Sequence, residues 1–170
     1  MQNFECRVQN REDSSSSLQS ESCIPHSGHP AIVSIAIRAS HVRVRYAETD
    51  RMGVVYYANY LVWFEVGRTE WLRAAGWTYR AMEQDGVSLP VIEAHCEYRR
   101  AARYDDQLEI RTKATLMTPV RVRFDYEVWR DTEDGPLASG YTVHAAMDPS
   151  GRPCRLPAAV RDLLATSPED

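Results

Sequence analysis

The chain has 170 residues, of which 44% are hydrophobic and 26% charged, and its formal net charge is −4 at neutral pH. These values are typical of one globular domain with a hydrophobic core and some additional chain. The mildly acidic balance argues against a nucleic-acid-binding protein, which usually carries a strongly basic surface.

No apolar run approaches the roughly 20 residues of a membrane-spanning helix, and no basic stretch followed by an apolar one begins the sequence, so we predict neither a membrane span nor a secretory signal. None of the four cysteines, Cys6, Cys23, Cys96 and Cys154, belongs to a C-x-x-C pair or has a histidine at zinc-ligand spacing. Free thiols in a reducing compartment are the favoured interpretation. We therefore expect a cytoplasmic protein without a bound metal.

Residues 1–38 differ in composition from the rest of the chain. They include polar, serine-rich runs and several Pro and Gly residues. Such a segment cannot bury enough apolar surface to offset the entropy lost on ordering, so a disordered N-terminal extension is predicted. Apolar residues alternate at Val33, Ile35 and Ile37, a pattern that also fits an edge strand. The folded domain is predicted to comprise residues 39–170.

From His41 onward the apolar residues follow regular periods. They predict a half-buried strand at 41–46 and then a long helix at 59–75. The predicted buried face of this helix contains Leu61, Phe64, Arg68, Leu72 and Ala75. The remaining predicted elements are a short helix at 78–85, strands at 88–99, 107–117, 120–130 and 137–147, a short strand at 152–155 and a helix at 157–165.

This order is one strand, one long helix and then a series of antiparallel strands. A long helix must bury its apolar face, and a curved antiparallel sheet is the surface that this chain offers. The prediction is therefore an α+β hotdog fold, in which a sheet of about five to six strands wraps around a long central helix.

Asp50 is the main candidate for chemistry. It follows the first predicted strand, in a turn that also contains Gly53, and the long helix begins a few residues later. A carboxylate beside the positive end of a helix can attack a thioester carbonyl or activate water against it. An aspartate that caps the turn is the alternative interpretation.

The backbone N–H of Tyr57 lies just before the predicted helix, where an unpaired donor can stabilise a developing oxyanion. The side chains of Tyr56, Tyr57 and Tyr60 are more simply interpreted as packing residues. We expect Gly53 to permit a special backbone conformation or a close approach. We expect Asn59 to cap the helix or to hydrogen-bond the loop.

Glu65 and Arg68 are three residues apart on the predicted helix, so an ion pair is expected. Glu65 as a catalytic carboxylate is the alternative, since some hotdog enzymes place their acid on this helix. Trp63, Phe64 and Trp71 either line an acyl pocket or belong to the core.

Several arginines could contact the phosphates of a substrate, although solvated side chains are their default interpretation. They are Arg99, Arg100, Arg103, Arg121 and Arg123. The predicted substrate-binding set is Gly53, Val54, Asn59 and Arg121. His95 and His144 lie on separate predicted strands and are interpreted as sheet residues. The sequence has no glycine-rich phosphate loop, G-x-S-x-G elbow or H-E-x-x-H motif.

Two sequence blocks carry a resemblance to a known family: RVRYAETD at 43–50 and GVVYYANY at 53–60. FEVGRTE at 64–70 and ARYDD at 102–106 support it. Over residues 41–164 the chain resembles the 4-hydroxybenzoyl-CoA thioesterase branch of the hotdog-fold acyl-CoA thioesterases. That branch includes the short-chain thioesterases linked to the Tol-Pal cluster.

The resemblance implies hydrolysis of an acyl-CoA to a carboxylate and free coenzyme A. It implies that Asp50 is the catalytic aspartate and that the backbone of Tyr57 supplies the oxyanion amide. Sites in this family form between subunits, so a homodimer or homotetramer is implied. No cofactor is expected, and coenzyme A enters as part of the substrate. Some Tol-Pal-linked members carry histidine in place of Tyr57, which weakens the substrate assignment more than the reaction class.

Two other functions remain open. A hotdog hydratase or dehydratase usually needs a histidine with an acidic partner on the helix and its neighbouring loop, and residues 58–75 contain no histidine. A non-catalytic acyl-thioester binding or assembly module would keep the fold and lose the carboxylate, so Asp50 argues against it. The sequence decides neither the acyl preference nor whether Asp50 is a nucleophile or a general base.

Overall fold

The structure is a computed structural model, and it describes residues 37–165. In chain order its elements are β1 (Arg38–Arg43), a 3-10 turn (Tyr46–Glu48), α1 (Asn59–Ala74), α2 (Tyr79–Gln84), β2 (Val91–Tyr98), β3 (Gln107–Thr118), β4 (Arg121–Arg130), β5 (Ala138–Ala145) and α3 (Ala158–Ala165). The five strands form one sheet, as predicted for the α+β arrangement.

All neighbouring strands are antiparallel, and their order across the sheet is β1-β3-β4-β5-β2. Tyr98 at the end of β2 pairs with Ala138, and Ala138 pairs with Val128. At the opposite end of the sheet, Arg121 pairs with Ala145. This register places the connection that follows β2 at the end of the sheet that contains Val128. Arg121 lies at the opposite end.

Side chains along β3 and β4 alternate between a buried face, covered by α1, and an outer face. The buried set is Leu108, Ile110, Thr112, Ala114, Val122, Phe124, Tyr126 and Val128. A period of two is what a sheet with one covered face requires.

The buried face of α1 is wider at its start than the sequence pattern indicated. It consists of Tyr60, Trp63, Phe64, Gly67, Arg68, Trp71 and Leu72. The ring of Phe64 stacks on that of Tyr126 with centroids 4.4 Å apart. Burying one such large apolar side chain stabilises the fold by about 2 kcal/mol. Trp63, Phe64 and Trp71 therefore belong to the core.

The predicted burial of Leu61 is wrong, because its side chain is 39% exposed. The helix instead turns Tyr60 toward the core, where the hydroxyl of Tyr60 accepts the backbone N–H of Ala102 at 3.0 Å. A tyrosine that satisfies its polar end in this way can occupy a buried position next to Leu61.

Gly67 lets α1 approach β3 closely. A Cβ atom on this residue would overlap Oγ1 of Thr112 and lie 2.8 Å from Cγ2 of Ile110. Protein interiors are close-packed, so no side chain fits at this position without displacing the helix or the strand. Gly67 thus sets the distance between helix and sheet.

The first strand ends earlier than predicted. It was expected at 41–46, but Tyr46 begins the 3-10 turn. The reason is local: Glu48 accepts a hydrogen bond from the backbone N–H of Arg45 at 2.7 Å, which turns the chain away from the sheet.

The short strand predicted at 152–155 is reduced to an isolated bridge between Met147 and Pro153. The predicted disordered extension at 1–38 and the edge strand at 31–37 lie outside the described residues, except for Ile37 and Arg38. Arg38 belongs to β1.

Most side chains of the edge strand β2 are exposed. Within it only Cys96 is partly buried, and Val91 and Ile92 are 49% and 46% exposed. An edge strand also presents unpaired backbone N–H and C=O groups that can pair with another strand. This edge is therefore suited to contact another chain.

Across residues 37–165 we find no helix with the length and apolar character needed to span a membrane. The thiols of Cys96 and Cys154 are free. Cys6 and Cys23 lie outside the described residues.

Candidate active site

Asp50 lies in a tight turn that is fixed by three hydrogen bonds. Its Oδ1 accepts the N–H of Met52 at 2.8 Å, its carbonyl accepts the N–H of Gly53 at 3.0 Å, and its own N–H donates to the carbonyl of Val54 at 2.9 Å. Gly53 has a φ of 71°, which glycine adopts without steric cost. Asp50 therefore does cap the turn, and its Oδ2 accepts no hydrogen bond from the described residues.

The turn at 148–151 repeats this geometry elsewhere in the fold. Oδ1 of Asp148 accepts the N–H of Ser150 at 2.8 Å, and its carbonyl accepts the N–H of Gly151 at 2.9 Å. Gly151 has a φ of 77°. Each turn is flanked by an isolated antiparallel bridge, Thr49–Val55 in the first and Met147–Pro153 in the second. The D-x-x-G turn alone therefore does not define a site.

The N–H of Tyr57 donates to no acceptor among the described residues. The groups on either side of it are held. The N–H of Tyr56 donates to the carbonyl of Glu48 at 2.9 Å, and the carbonyl of Tyr57 accepts the hydroxyl of Tyr98 at 3.2 Å. Because α1 begins at Asn59, this free donor lies at the positive end of the helix dipole.

Asp50 and Tyr57 line the same pocket, which has a volume of about 330 Å³. Val54, Val55 and Tyr60 contribute apolar lining, and Tyr98, Arg99 and Arg100 lie on the side formed by the end of β2. A carboxylate with a free oxygen and an unpaired amide in one partly apolar pocket is an arrangement suited to acyl transfer.

The tyrosines at the entrance of the helix differ from one another. Tyr60 is 3% exposed and packs as predicted, whereas Tyr56 and Tyr57 are 47% and 59% exposed. The interpretation of Tyr56 and Tyr57 as packing residues is therefore wrong for an isolated chain. Their rings contact each other, with centroids 4.5 Å apart.

Glu48 does not line the pocket, but it holds the loop beside it, a role that the sequence pattern did not indicate. Burial raises the pKa of its carboxyl group, but hydrogen bonds from the backbone and guanidinium of Arg45 outweigh burial, and the pKa is lowered. The carbonyl of Glu48 accepts Nδ2 of Asn59 at 2.8 Å. Asn59 thus hydrogen-bonds the loop, one of its two predicted roles. Neither Asn59 nor Gly53 lines the pocket.

Ala102, in the connection between β2 and β3, joins the loop to the helix. Its carbonyl accepts the N–H of Val55 at 2.9 Å, and its N–H donates to the hydroxyl of Tyr60 at 3.0 Å. Because Ala102 is fully buried, this connection is fixed against the pocket floor. No periodic pattern in the sequence indicates such a contact.

Arg99 and Arg100 lie at the pocket, whereas Arg103 does not line it. Nη2 of Arg99 lies 3.1 Å from Oε2 of Glu97, and Nη1 of Arg100 lies 2.7 Å from Oε2 of Glu133. Exposed ion pairs of this kind are weak, so both guanidinium groups remain available to an anionic ligand.

Arg121 is remote from this pocket within one chain. Arg121 is seven residues before Val128 on β4. Val128 pairs with Ala138, and Ala138 pairs with Tyr98 at the end of β2, beside the pocket. At roughly 3.3 Å per residue, this separates Arg121 from the pocket end of the sheet by about 23 Å. Of the four predicted substrate contacts, the structure places Val54 alone in the pocket.

The predicted ion pair between Glu65 and Arg68 is wrong. Glu65 is exposed and outside the pocket, while Arg68 turns inward and is 8% exposed. Nε of Arg68 donates to the hydroxyl of Tyr79 at 2.5 Å, and Nη1 lies 3.3 Å from Nε2 of His144. A polar network in the core therefore holds this arginine in place of the ion pair.

A second cavity of about 370 Å³ lies on the outer face of the sheet. His95 and Arg123 line it, and both contact Tyr141: the His95 ring lies 5.4 Å away, and the Arg123 guanidinium lies 3.8 Å from the ring centroid. His95 and His144 are sheet residues, as predicted. Within residues 37–165 no group of three His, Cys, Asp or Glu side chains is arranged to hold a metal ion.

Comparison with known proteins gives one consistent result. The model of the Thioesterase-like superfamily matches residues 44–164. The acyl-CoA thioester hydrolase YbgC of Escherichia coli is 34% identical over 120 residues, which cover 70% of this chain and 89% of the relative. A 1,4-dihydroxy-2-naphthoyl-CoA hydrolase of Synechococcus elongatus is 31% identical over 124 residues, covering 71% and 90%.

The fold is also that of solved enzymes. The crystal structure of a 1,4-dihydroxy-2-naphthoyl-CoA thioesterase from Synechocystis superimposes with a TM-score of 0.72 and 22% identity, covering 77% of this chain and 97% of that one. At this identity the similarity shows the fold alone. The predicted hotdog fold is confirmed.

Proposed function

The chain belongs to the Thioesterase-like superfamily and is a thioester hydrolase, and we propose that its substrate is an acyl-CoA, which it converts with water to a carboxylate and free coenzyme A. The observation that carries this proposal is the shared pocket of the Asp50 carboxylate and the unpaired Tyr57 amide.

In the proposed reaction Asp50 acts in one of two ways. As a nucleophile its carboxylate attacks the thioester carbonyl carbon, the C–S bond breaks, coenzyme A leaves as a thiolate, and water hydrolyses the resulting anhydride. As a general base it takes a proton from a water molecule whose oxygen attacks the same carbon, the C–S bond breaks, and coenzyme A leaves as a thiolate that takes up the proton. Both routes need a carboxylate oxygen that no hydrogen bond occupies, and Oδ2 of Asp50 accepts none from the described residues.

The Tyr57 amide is the proposed oxyanion donor. Negative charge builds on the thioester oxygen as the carbonyl carbon becomes tetrahedral, and a fixed N–H at that position typically lowers the barrier by about 3 kcal/mol. The helix dipole of α1 acts in the same direction.

Arg99 and Arg100 are the proposed contacts for the phosphates of coenzyme A, because both lie at the pocket and neither is buried. The acyl group would lie against Val54, Val55 and Tyr60. The pocket itself selects no single acyl class, so short, long and aromatic acyl groups all belong in the assay.

We further propose that two chains pair through the β2 edge to form a homodimer, with a homotetramer as the alternative. The exposed apolar side chains of Val91 and Ile92 and the unpaired strand edge support this pairing. Gly53, Asn59 and Arg121, which do not line the pocket of one chain, remain predicted contacts for a site that a second chain completes.

A cytoplasmic location is part of the same proposal. The free thiols of Cys96 and Cys154 support it, since free cysteines persist in reducing compartments. The proposed reaction requires no cofactor besides the coenzyme A of the substrate.

The test is thiol release from a panel of acyl-CoAs by the wild type, Asp50→Asn and Asp148→Asn. Asp148 occupies the same kind of turn, with the same Oδ1 hydrogen bond, away from the pocket. Removing a general base or nucleophile typically costs 10²–10⁴-fold in rate, so we expect a loss of roughly 10³-fold in Asp50→Asn and wild-type rates in Asp148→Asn.

Equal rates for wild type and Asp50→Asn would exclude the role of Asp50. Binding of acyl-CoA without thiol release from any panel member would favour the acyl-thioester binding module instead. Hydration of an enoyl-CoA without thiol release would favour the hydratase.

A further inference from the structure

The hydroxyl of Tyr98 joins the edge strand to the start of the long helix. It donates to the carbonyl of Tyr57 at 3.2 Å, although the two residues are 41 positions apart. Both residues line the Asp50 pocket. The mechanism proposed above uses the amide of Tyr57 and assigns nothing to Tyr98.

Hydrogen bonds hold the backbone on both sides of the unpaired N–H of Tyr57. On its N-terminal side, the N–H of Tyr56 donates to the carbonyl of Glu48 at 2.9 Å. On its C-terminal side, the carbonyl of Tyr57 accepts the Tyr98 hydroxyl and the N–H of Tyr60, the latter at a longer 3.3 Å. The free N–H also shares a planar peptide unit with the carbonyl of Tyr56, which accepts the N–H of Asn59 at 3.0 Å. The Tyr98 hydrogen bond restrains the next peptide unit, on the C-terminal side of Tyr57.

Tyr98 is itself held in place. Its ring packs edge-to-face on Tyr60 with centroids 5.2 Å apart, and the hydroxyl of Tyr60 accepts the N–H of Ala102. Burial raises the pKa of the Tyr98 phenol to about 12, with the neighbouring Cys96 acting in the same direction. The hydroxyl therefore keeps its proton, and remains a donor, at every pH at which the fold is expected to work.

We propose that Tyr98 is a positioning residue that holds the Tyr57 amide in the direction an oxyanion requires. This inference rests on the proposed function. An oxyanion donor acts on the transition state more than on the bound substrate, so loss of its alignment lowers kcat and leaves KM nearly unchanged.

The test compares Tyr98→Phe with Tyr141→Phe. Each variant removes one phenol hydroxyl that tethers the β2 region, since the Tyr141 hydroxyl donates to Glu93 of β2 at 2.5 Å on the outer face. We expect Tyr98→Phe to lower kcat about tenfold with KM within about twofold of wild type, and Tyr141→Phe to leave both unchanged. Equal kinetics in Tyr98→Phe and wild type, or an equal loss in both variants, would overturn the proposal.

A second readout does not depend on turnover. The backbone amide of Tyr57 is followed by NMR in the full-length protein, and we expect its chemical shift and hydrogen-exchange rate to change in Tyr98→Phe but not in Tyr141→Phe. An unchanged Tyr57 amide would overturn the positioning role even in an active enzyme. A wild type that hydrolyses no acyl-CoA would instead overturn the proposed function, and the amide measurement would still report on Tyr98.

Discussion

Nη1 of Arg68 lies 3.3 Å from Nε2 of His144 in the core, and no carboxylate among the described residues forms an ion pair with this arginine. Nδ1 of His144 faces the carbonyl of Leu89 at 2.9 Å, so Nδ1 carries the proton. Nε2 then accepts from Arg68 and from the hydroxyl of Thr142. The fold thus requires His144 to be neutral.

Stability should fall in mild acid because of His144. Burial lowers the pKa of this imidazole to about 4, with the charge of Arg68 acting in the same direction and the Leu89 hydrogen bond opposing it. The unfolded imidazole titrates near 6.5, so between pH 6.5 and 4 the unfolded chain binds a proton that the folded chain does not. We expect the free energy of unfolding to decrease by up to about 3 kcal/mol across this interval.

Urea unfolding of wild type, His144→Gln and His95→Gln at several pH values checks this. His95 is an exposed histidine on the neighbouring strand β2 and serves as the control. The free energy of unfolding should depend less on pH between 6.5 and 4 in His144→Gln, and as in the wild type in His95→Gln. A wild type whose stability does not change between pH 6.5 and 4 would contradict the assignment.

Stability should also fall in strong alkali because of Tyr126. Burial raises the pKa of its phenol to about 12, against the opposing charge of Arg68. The unfolded phenol titrates near 10, so between pH 10 and 12 the folded chain keeps a proton that the unfolded chain loses, and stability decreases by up to about 3 kcal/mol. Between pH 10 and 12 the free energy of unfolding should decrease less in Tyr126→Phe than in the wild type. It should decrease as in the wild type in Tyr46→Phe, because the Tyr46 ring is 78% exposed.

Gly67→Ala should destabilise the protein by about 2 kcal/mol although alanine favours helices, because overpacking outweighs a propensity gain of about 1 kcal/mol. The added methyl group would overlap Oγ1 of Thr112. A double-mutant cycle with Thr112→Ala measures the effect, and the double variant should recover part of the loss. Strictly additive changes would show that the helix and β3 are not in tight contact at this point.

The contribution of Arg99 and Arg100 should depend on the nucleotide part of the substrate. We expect the double change Arg99→Gln and Arg100→Gln to raise KM about tenfold for an acyl-CoA and much less for the corresponding acyl-pantetheine, which lacks the nucleotide phosphates. Steady-state kinetics with both substrates test this, and Arg80→Gln, an exposed arginine of α2, is the control. An equal rise in KM for both substrates would argue against phosphate contact.

The sequence predicted the order of the elements well because their periods are long and regular. It failed where one hydrogen bond outweighs a pattern. The hydrogen bond from the backbone N–H of Arg45 to the Glu48 carboxylate ends β1 early. The hydrogen bond from the N–H of Ala102 to the hydroxyl of Tyr60 makes Tyr60 a core residue, while the adjacent Leu61 is exposed. Such bonds depend on which groups happen to meet, and periodicity contains no information about that.

The candidate site was predictable to the same extent. The D-x-x-G turn and the helix start lie close in sequence, so Asp50 and the Tyr57 amide could be expected together. Tyr98 at the end of β2 lines the pocket and hydrogen-bonds Tyr57, 41 residues earlier, and Ala102 in the following connection hydrogen-bonds Tyr60, 42 residues earlier. The helix spacing predicted that Arg68 pairs with Glu65. Spacing within one helix does not show that Arg68 can instead contact the buried His144 on β5.

The two D-x-x-G turns also give this protein an internal reference. Asp50 and Asp148 share their backbone hydrogen bonds, one Oδ1 hydrogen bond and the flanking bridges, but Oδ1 of Asp148 also accepts the Ser150 hydroxyl and the N–H of Arg152. Amide exchange measured by NMR in one sample reports on both turns, and the comparison removes what the shared backbone hydrogen bonds contribute. The difference that remains contains the effect of the pocket on Asp50 and that of the two further hydrogen bonds on Asp148, and it is measured without any substitution.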